Sequence, residues 1–324
     1  MAGAAHPLHG PAPSGPTAGI RTQCRTGRAP RTTRDAMDPI RFIPPALAIL
    51  WGLNWPAVKI GLSEVPPFAL RMGGMGAGGL ILLAVALLTG RSLRFARSDV
   101  VPLLVGGFLN ITVFNLAVVF AQLATTTSRA AILTFTTPLW AIVLAYLVLG
   151  EKLDRTRVAA LVIGLAGIAV LASPIFTGTV NPLGVMFPVV AALSWAAGSV
   201  YLKRRPYRAD RMVAIGYQLL LAGSVAAVGF VVSGETLPGS LSAGTAFAIA
   251  YHVVGATALA YVLWFTLLDR LTVGAASMTT FAIPVVGVVG AMVLVGDRPG
   301  LLDYVGFAAV IAAAGLATFG QKRA

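Results

Sequence analysis

The 324-residue chain has a single cysteine, Cys24, in a Pro-, Gly- and Arg-rich amino-terminal tail. A disulfide framework and a thiolate metal site are thereby excluded. Charge is scarce: 11% of residues, against about 25% in soluble domains. Acidic residues are fewest, 11 Asp and Glu against 24 Lys and Arg. Asp99, Glu151, Asp154, Asp269, Asp297 and Asp303 all fall at the ends of apolar runs or between them. Proton-coupled pumps usually need a carboxylate or His inside the membrane. His252 is the central candidate here, and a packed hydrogen-bonding role is its competing reading. Phosphate-cradling Gly-Lys-Ser/Thr, His-Glu-x-x-His and Gly-x-Ser-x-Gly motifs are absent. No soluble stretch is large enough for an ATPase. The chain therefore reads as neither an enzyme nor a nucleotide-driven pump, with no metal or cofactor expected.

What is present is apolar length. Hydrophobic residues make up 57% of the chain, and mean hydropathy is +0.85. The 36 glycines suit close helix packing in a bilayer. The class is all-α integral membrane. A formal charge of +13 would suggest nucleic acid in a soluble chain. Here the basic residues sit between apolar spans, so they read as topology signals and contacts to anionic lipid. Residues 1–36 have no apolar run and cannot bury a core, so a disordered tail without a secretory signal is expected. Met37, directly before the first apolar run, reads as the natural start; an organellar transit peptide is the competing reading of that tail.

A bilayer core needs about 20 apolar residues per helix. Ten spans follow: 42–61, 67–89, 100–122, 128–148, 157–174, 182–202, 212–233, 244–267, 274–295 and 301–320. With both termini cytoplasmic, 20 Lys and Arg fall inside and four outside, namely Lys59, Arg71, Arg129 and Arg298. That is the bias expected of a multi-pass cytoplasmic-membrane protein.

The spans repeat. Residues 129–151 run parallel to 275–297, and a shift of 146 brings Pro138 to Pro284, Gly150 to Gly296 and Glu151 to Asp297. Trp51 matches Trp195 at a shift of 144, and AGIAVL (166–171) matches AGLATF (314–319) at 148. Each copy, 40–174 and 182–320, holds five spans. Five is odd, so the second copy enters the membrane upside down. Two inverted halves around a shared midplane site are a transporter architecture.

Polar residues inside apolar spans mark a wet cavity or interhelical bonds. Trp51, Asn54, Asn110, Asn115, Tyr201, Tyr261 and Trp264 are the candidate cavity residues. Aromatic members also suit packing or an interface, and the amides also suit helix–helix bonds. Asn115 and Gln122, seven apart, share a helical face. Pro56, Pro138 and Pro284 would open the backbone, the last two at equal depth, beside Thr134, Thr136 and Thr137 or Thr279 and Thr280. Lys59 and Arg71, near the outer boundary, would attract an anion such as a carboxylate or snorkel to headgroups. Divergence at Asn115 against Tyr261, and at Gly106 against His252, would make one asymmetric site. Gly74-xxx-Gly78 suits intramolecular packing, with a homodimer as its other use.

The strings WGLNWPAVKIGL (51–62), PPFALR (66–71) and TPLWAIVLAYLVLGEKL (137–153) resemble the first half of an EamA-type transporter, the ten-helix branch of the drug/metabolite transporter superfamily. The second half is similar through Pro284 to Asp297, and the resemblance spans about residues 40–320. It implies a five-plus-five inverted fold with a central cavity, and export of small metabolites, often amino acids or related compounds. Trp51, Asn54, Lys59, Arg71, Pro138, Glu151, Pro284 and Asp297 are the positions that match the pattern. Asp297 departs from the more usual Glu. Glu151 and Asp297 read as helix-end determinants rather than substrate ligands. The superfamily's four-helix multidrug branch uses a Glu in its first span; this chain has none there. That favours small polar metabolites over the alternative, a multidrug exporter of hydrophobic or cationic compounds. The expected partners are a small-molecule substrate and the lipid bilayer, with no nucleic acid.

Overall fold

A computed structural model describes residues 42–178, 181–270 and 281–319, the side chains of 268–270 and 319 excepted. The tail, Met37, Thr279 and Thr280 lie outside the described residues. Among the described residues every regular element is helical. In hydrocarbon a helix satisfies its own backbone, which is why apolar runs of this length fold so. Eight helical stretches are long and apolar enough to cross a membrane, and the helix Ala282–Leu294 is shorter but apolar. The expected spans agree with them to within a few residues, save the first and the ninth.

The first run is divided into α1 (Ile43–Gly52) and α2 (Asn54–Gly61). α3 (Pro67–Leu88) follows, then α4 (Val100–Gly107), a π-helical segment (Phe108–Val113) and α5 (Phe114–Ala124) as one continuous stretch. The fourth run is broken into α6 (Thr127–Thr134) and α7 (Thr137–Leu149). α8 (Arg155–Ala172), α9 (Leu183–Arg204) and α10 (Arg211–Ser233) come next. α11 (Ala243–Ala250), a second π segment (Tyr251–Leu259) and α12 (Ala260–Arg270) form another stretch. α13 (Ala282–Leu294) and α14 (Leu301–Phe319) close the chain.

Pro56, Pro138 and Pro284 all lie in the first turn of a helix, α2, α7 and α13 respectively. There a missing N–H leaves no donor wanting, because first-turn N–H groups have no intrahelical partner. The breaks at Leu53 and Phe135 each lie three residues before a proline, where its ring excludes a continuous helix.

Helix ends repeat as well. α3 and α10 stop at Gly90 (φ 75°) and Gly234 (φ 67°), 144 residues apart; α7 and α13 stop short of Gly150 (φ 70°) and Gly296 (φ 73°), 146 apart. Only glycine takes this left-handed backbone cheaply. The following N–H groups fold back alike: Glu151 N–H donates to Ala145 O (3.3 Å) and Asp297 N–H to Ala291 O (3.2 Å).

Both π segments carry the same bond. The Thr112 hydroxyl donates to Gly107 O at 3.3 Å, and the Thr257 hydroxyl to His252 O at 2.8 Å. Each bond spans five residues, and together they relate Gly107 to His252 at a separation of 145.

Packing follows from glycine. Gly76 lies against Gly223 and Gly79 against Gly216, so α3 and α10 run antiparallel at close range. α8 and α14 do the same through Gly167 and Gly306. α1 packs on α12 and α13, while α9 packs on α5, α6 and α7.

Candidate functional site

The break between α1 and α2 faces the second π segment, and side chains tie the two together. The Trp51 indole N–H donates to Ala256 O at 3.1 Å. In return the Tyr251 hydroxyl reaches Leu50 O at 3.0 Å and Ile49 O at 3.2 Å. Carbonyls near a helix break or π turn lose regular partners, and side chains supply them. Trp51 also meets Trp264 (ring centroids 5.6 Å apart) and Tyr261 (6.0 Å, edge to face). Tyr261 stacks on Phe265 at 6.2 Å. An aromatic wall thus joins the first and eighth expected spans.

Next to it lies a polar row. His252 is 2% exposed, and its Nδ1 is 2.7 Å from Asn54 Oδ1. Its Nε2 is 3.4 Å from Arg71 Nη1. Arginine has donors only, so Nε2 must be the accepting nitrogen. Nδ1 then carries the proton and donates to Asn54, which fixes a neutral tautomer. Gly74 makes room: a Cβ there would fall 2.8 Å from His252 Nε2 and Cδ2. Gly78 does the same for Thr257. The Gly74-xxx-Gly78 face of α3 is therefore spent on the second π segment.

Arg71 is 2% exposed, and its Nε has no hydrogen-bond partner. Its side chain is turned into the protein interior. Lys59 likewise turns inward and donates to the carbonyl of Gln122. The Gln122 side chain is fully buried without a partner.

The remaining candidates belong to a second group around α9. Asn110, in the first π segment, presses its Oδ1 onto Gly198, where a Cβ would lie 1.7 Å away. That oxygen has no partner. Asn115 donates to Ile111 O in its own helix at 2.9 Å. Tyr201, three residues beyond Gly198, is half-buried in α9. Trp195 meets Phe114 edge to face at 4.9 Å. A core of Met75, Leu82, Ile111, Met212 and Leu219 packs against Trp195 of this group and against Tyr261 and Trp264 of the first.

Sequence reasoning did not select Trp195, Phe114 or Gln218 as site residues. Gln218 is 3% exposed and donates to Leu103 O at 3.4 Å. An amide in the middle of an apolar run was the available signal.

Charged groups at the helix ends act as clamps. Glu151 pairs with Lys203 (2.6 Å) and Arg157 (3.1 Å). The Lys203 bond holds the Glu151 carboxyl below the usual carboxylate range. Asp297 accepts from the Ser128 N–H (2.7 Å) and hydroxyl (2.9 Å), capping α6. Glu235 caps α3 through Phe68 and Ala69, and Glu64 caps α11 through Ser242. The Ser242 hydroxyl, its N–H and Thr245 lower the Glu64 pKa. Among the described residues no cluster of His, Cys, Asp and Glu suits a metal ion.

Comparison with known proteins fits this arrangement. A solved crystal structure matches over 88% of this chain and 98% of its own, with TM-score 0.61 and 21% identity, a likeness of fold. The chain is 29% identical to the Bacillus subtilis protein named uncharacterized transporter YvbV, over 78% of this chain and 82% of that one. It is 29% identical to an Escherichia coli protein named uncharacterized inner membrane transporter YedA, over 85% and 89%. It is 25% identical to an E. coli protein named probable amino-acid metabolite efflux pump, over 85% and 93%. The sequence pattern of the EamA-like transporter family matches residues 46–173 and 182–319. Two matches tile nearly all of the apolar chain, and the chain belongs to the EamA-like transporter family.

Proposed function

We propose that this transporter is a secondary carrier that exports small metabolites, amino-acid-like compounds favoured, across the cytoplasmic membrane by alternating access. Ten spans form two inverted five-span halves, 40–174 and 182–320, with both termini in the cytoplasm. The paired glycine stops and the twin threonine bonds of the π segments support the repeat. So does antiparallel packing of α3 on α10 and of α8 on α14, because spans equivalent under inversion must run oppositely. α1 leans on second-half helices and α9 on first-half helices, so the halves interlock and can rock about a shared centre.

One observation carries the site: an aromatic wall of Trp51, Tyr261 and Trp264 beside the polar row of Asn54, His252 and Arg71. Rings take an apolar body and the row takes a polar group, as small-molecule sites require. The aromatic wall alone would also suit a hydrophobic or cationic drug, but a buried guanidinium repels a cation. Lys203–Glu151 and its counterparts Lys59 and Asp297 would hold opposite ends of the path. Substrate shifts the inward–outward equilibrium only by its differential affinity for the two states.

The test is efflux. Cells expressing the chain are challenged with toxic amino-acid analogues and with cationic drugs, and each hit is followed as flux in vesicles. Protection against analogues, with flux of the same compound, is expected. Protection confined to cationic drugs would replace this reading with the multidrug one, and flux of nothing across a broad panel would end both.

A further inference from the structure

We infer that Arg71, oriented by His252 and Asn54, is the anion subsite of the transport path and takes the carboxylate of a monocarboxylate or zwitterionic substrate. The inference rests on the transport reading above and names its substrate class.

A guanidinium is always charged and offers five N–H donors. Arg71 is almost wholly buried, yet among the described residues its only hydrogen-bond contact is the neutral ring of His252, at 3.4 Å. Its Nε stands unpartnered. Among the described residues no carboxylate pairs with it. Buried charges are ordinarily paired. The nearest acidic groups in sequence and fold are engaged elsewhere: Glu235 on Phe68 and Ala69, Glu64 on Ser242 and Thr245. The protein thus holds a cation in its interior and withholds the anion.

Two neighbouring side chains fix its aim. Asn54 holds His252 by Nδ1, and His252 offers one lone pair to Nη1. Such a contact orients the fork without neutralising it. The single Nε–H, together with an N–H of the other terminal nitrogen Nη2, remains for a planar, two-oxygen anion, the geometry in which guanidinium and carboxylate match. A single positive charge suits a monoanion. A dianion such as phosphate would call on a second cation, and Lys59 is committed to the Gln122 carbonyl. The row lies where α2, α3 and the second π segment meet, beside the aromatic wall that would receive the rest of the molecule.

The test uses the full-length protein in detergent and in proteoliposomes. Thermal unfolding of wild type and of Arg71→Gln is followed with sodium salts of acetate, L-alanine and L-leucine, and with L-leucine amide, L-leucine methyl ester and chloride. The carboxylates are expected to raise the wild-type midpoint with concentration, and the amide and ester to do nothing. Arg71→Gln should fold with an unchanged or higher midpoint and lose at least tenfold in affinity; Arg71→Lys should keep part of the response. Should Arg71→Gln fail to fold, Asn54→Ala serves instead: it leaves the charge and releases His252, and should weaken carboxylate binding alone. Equal responses to leucine and its amide, responses that survive Arg71→Gln, or a response to chloride equal to that of the carboxylates would overturn the inference. Flux of compounds indifferent to the carboxylate and to Arg71 would end this inference and keep the transport reading. Carboxylate binding at Arg71 without flux of anything would do the reverse.

Discussion

Two arginines are buried near one end of this bundle, and they are held in opposite ways. Arg129 is 8% exposed and rests on Asp303, with Nε 3.0 Å from Oδ1. Arg71 is 2% exposed and has no carboxylate partner among the described residues. Both belong to the four basic residues that the charge pattern alone would assign to the outer side. The first pair fastens α6 to α14 and is complete within the chain. The second is left without a carboxylate among the described residues, as the proposed anion subsite requires.

The sharpest way to break the comparison is to remove Asp303. Asp303→Asn leaves Arg129 buried and unpaired, and the loss of one partner of a buried pair costs about 3–5 kcal/mol. A large fall in the unfolding midpoint of the solubilised protein is expected, where Arg71→Gln produces none. Equal losses in the two variants would make Arg71 a structural residue.

A smaller effect separates the two faces of α3. Gly74→Ala drives a Cβ into His252, whereas Gly73 has nothing within 4 Å. Overpacking costs about 1–3 kcal/mol, so Gly74→Ala should lower stability and disturb transport while Gly73→Ala does neither. An indifferent Gly74→Ala would mean that His252 can move without consequence.

The smallest concerns the opposite end. The Glu151 pKa is depressed in the folded state, chiefly by Lys203. A depressed carboxylate stabilises the fold above its unfolded pKa, and that contribution fades as pH falls through the lower folded value. Lys203 is 65% exposed, and exposed pairs contribute about 0.2–1 kcal/mol. Glu151→Gln should therefore cost little near neutrality and nothing in acid. A loss that persists in acid would show that packing, not charge, holds that end.

Much of the fold was legible in the sequence because its causes are local. Apolar length sets where a helix crosses, and proline and glycine set where it starts and stops. Pro138 and Gly150 could be read for that reason, and so could their partners 146 residues on. The π segments could not. A π turn changes the register by one residue without changing composition, and only the bonds from Thr112 and Thr257 reveal it.

The site was half legible. A polar residue in an apolar run announces that it needs a partner, and this singled out Asn54, Asn110, Asn115 and His252. It does not announce which partner. Asn54 bonds across to His252, Asn115 bonds back to its own helix, and Asn110 is pressed on Gly198. These outcomes depend on which face of each helix meets which neighbour. Arg71 shows the same division. Its position near a span end suits a headgroup or the interior equally well. The missing Cβ of Gly74 and the ring of His252, 181 residues away in the chain, turn it inward. By itself the sequence determined a multi-pass helical membrane protein with two similar halves, because hydropathy and backbone breakers act within a helix. Only the tertiary structure decided which buried charge is paired and which is left open, because pairing is a matter of distance between helices.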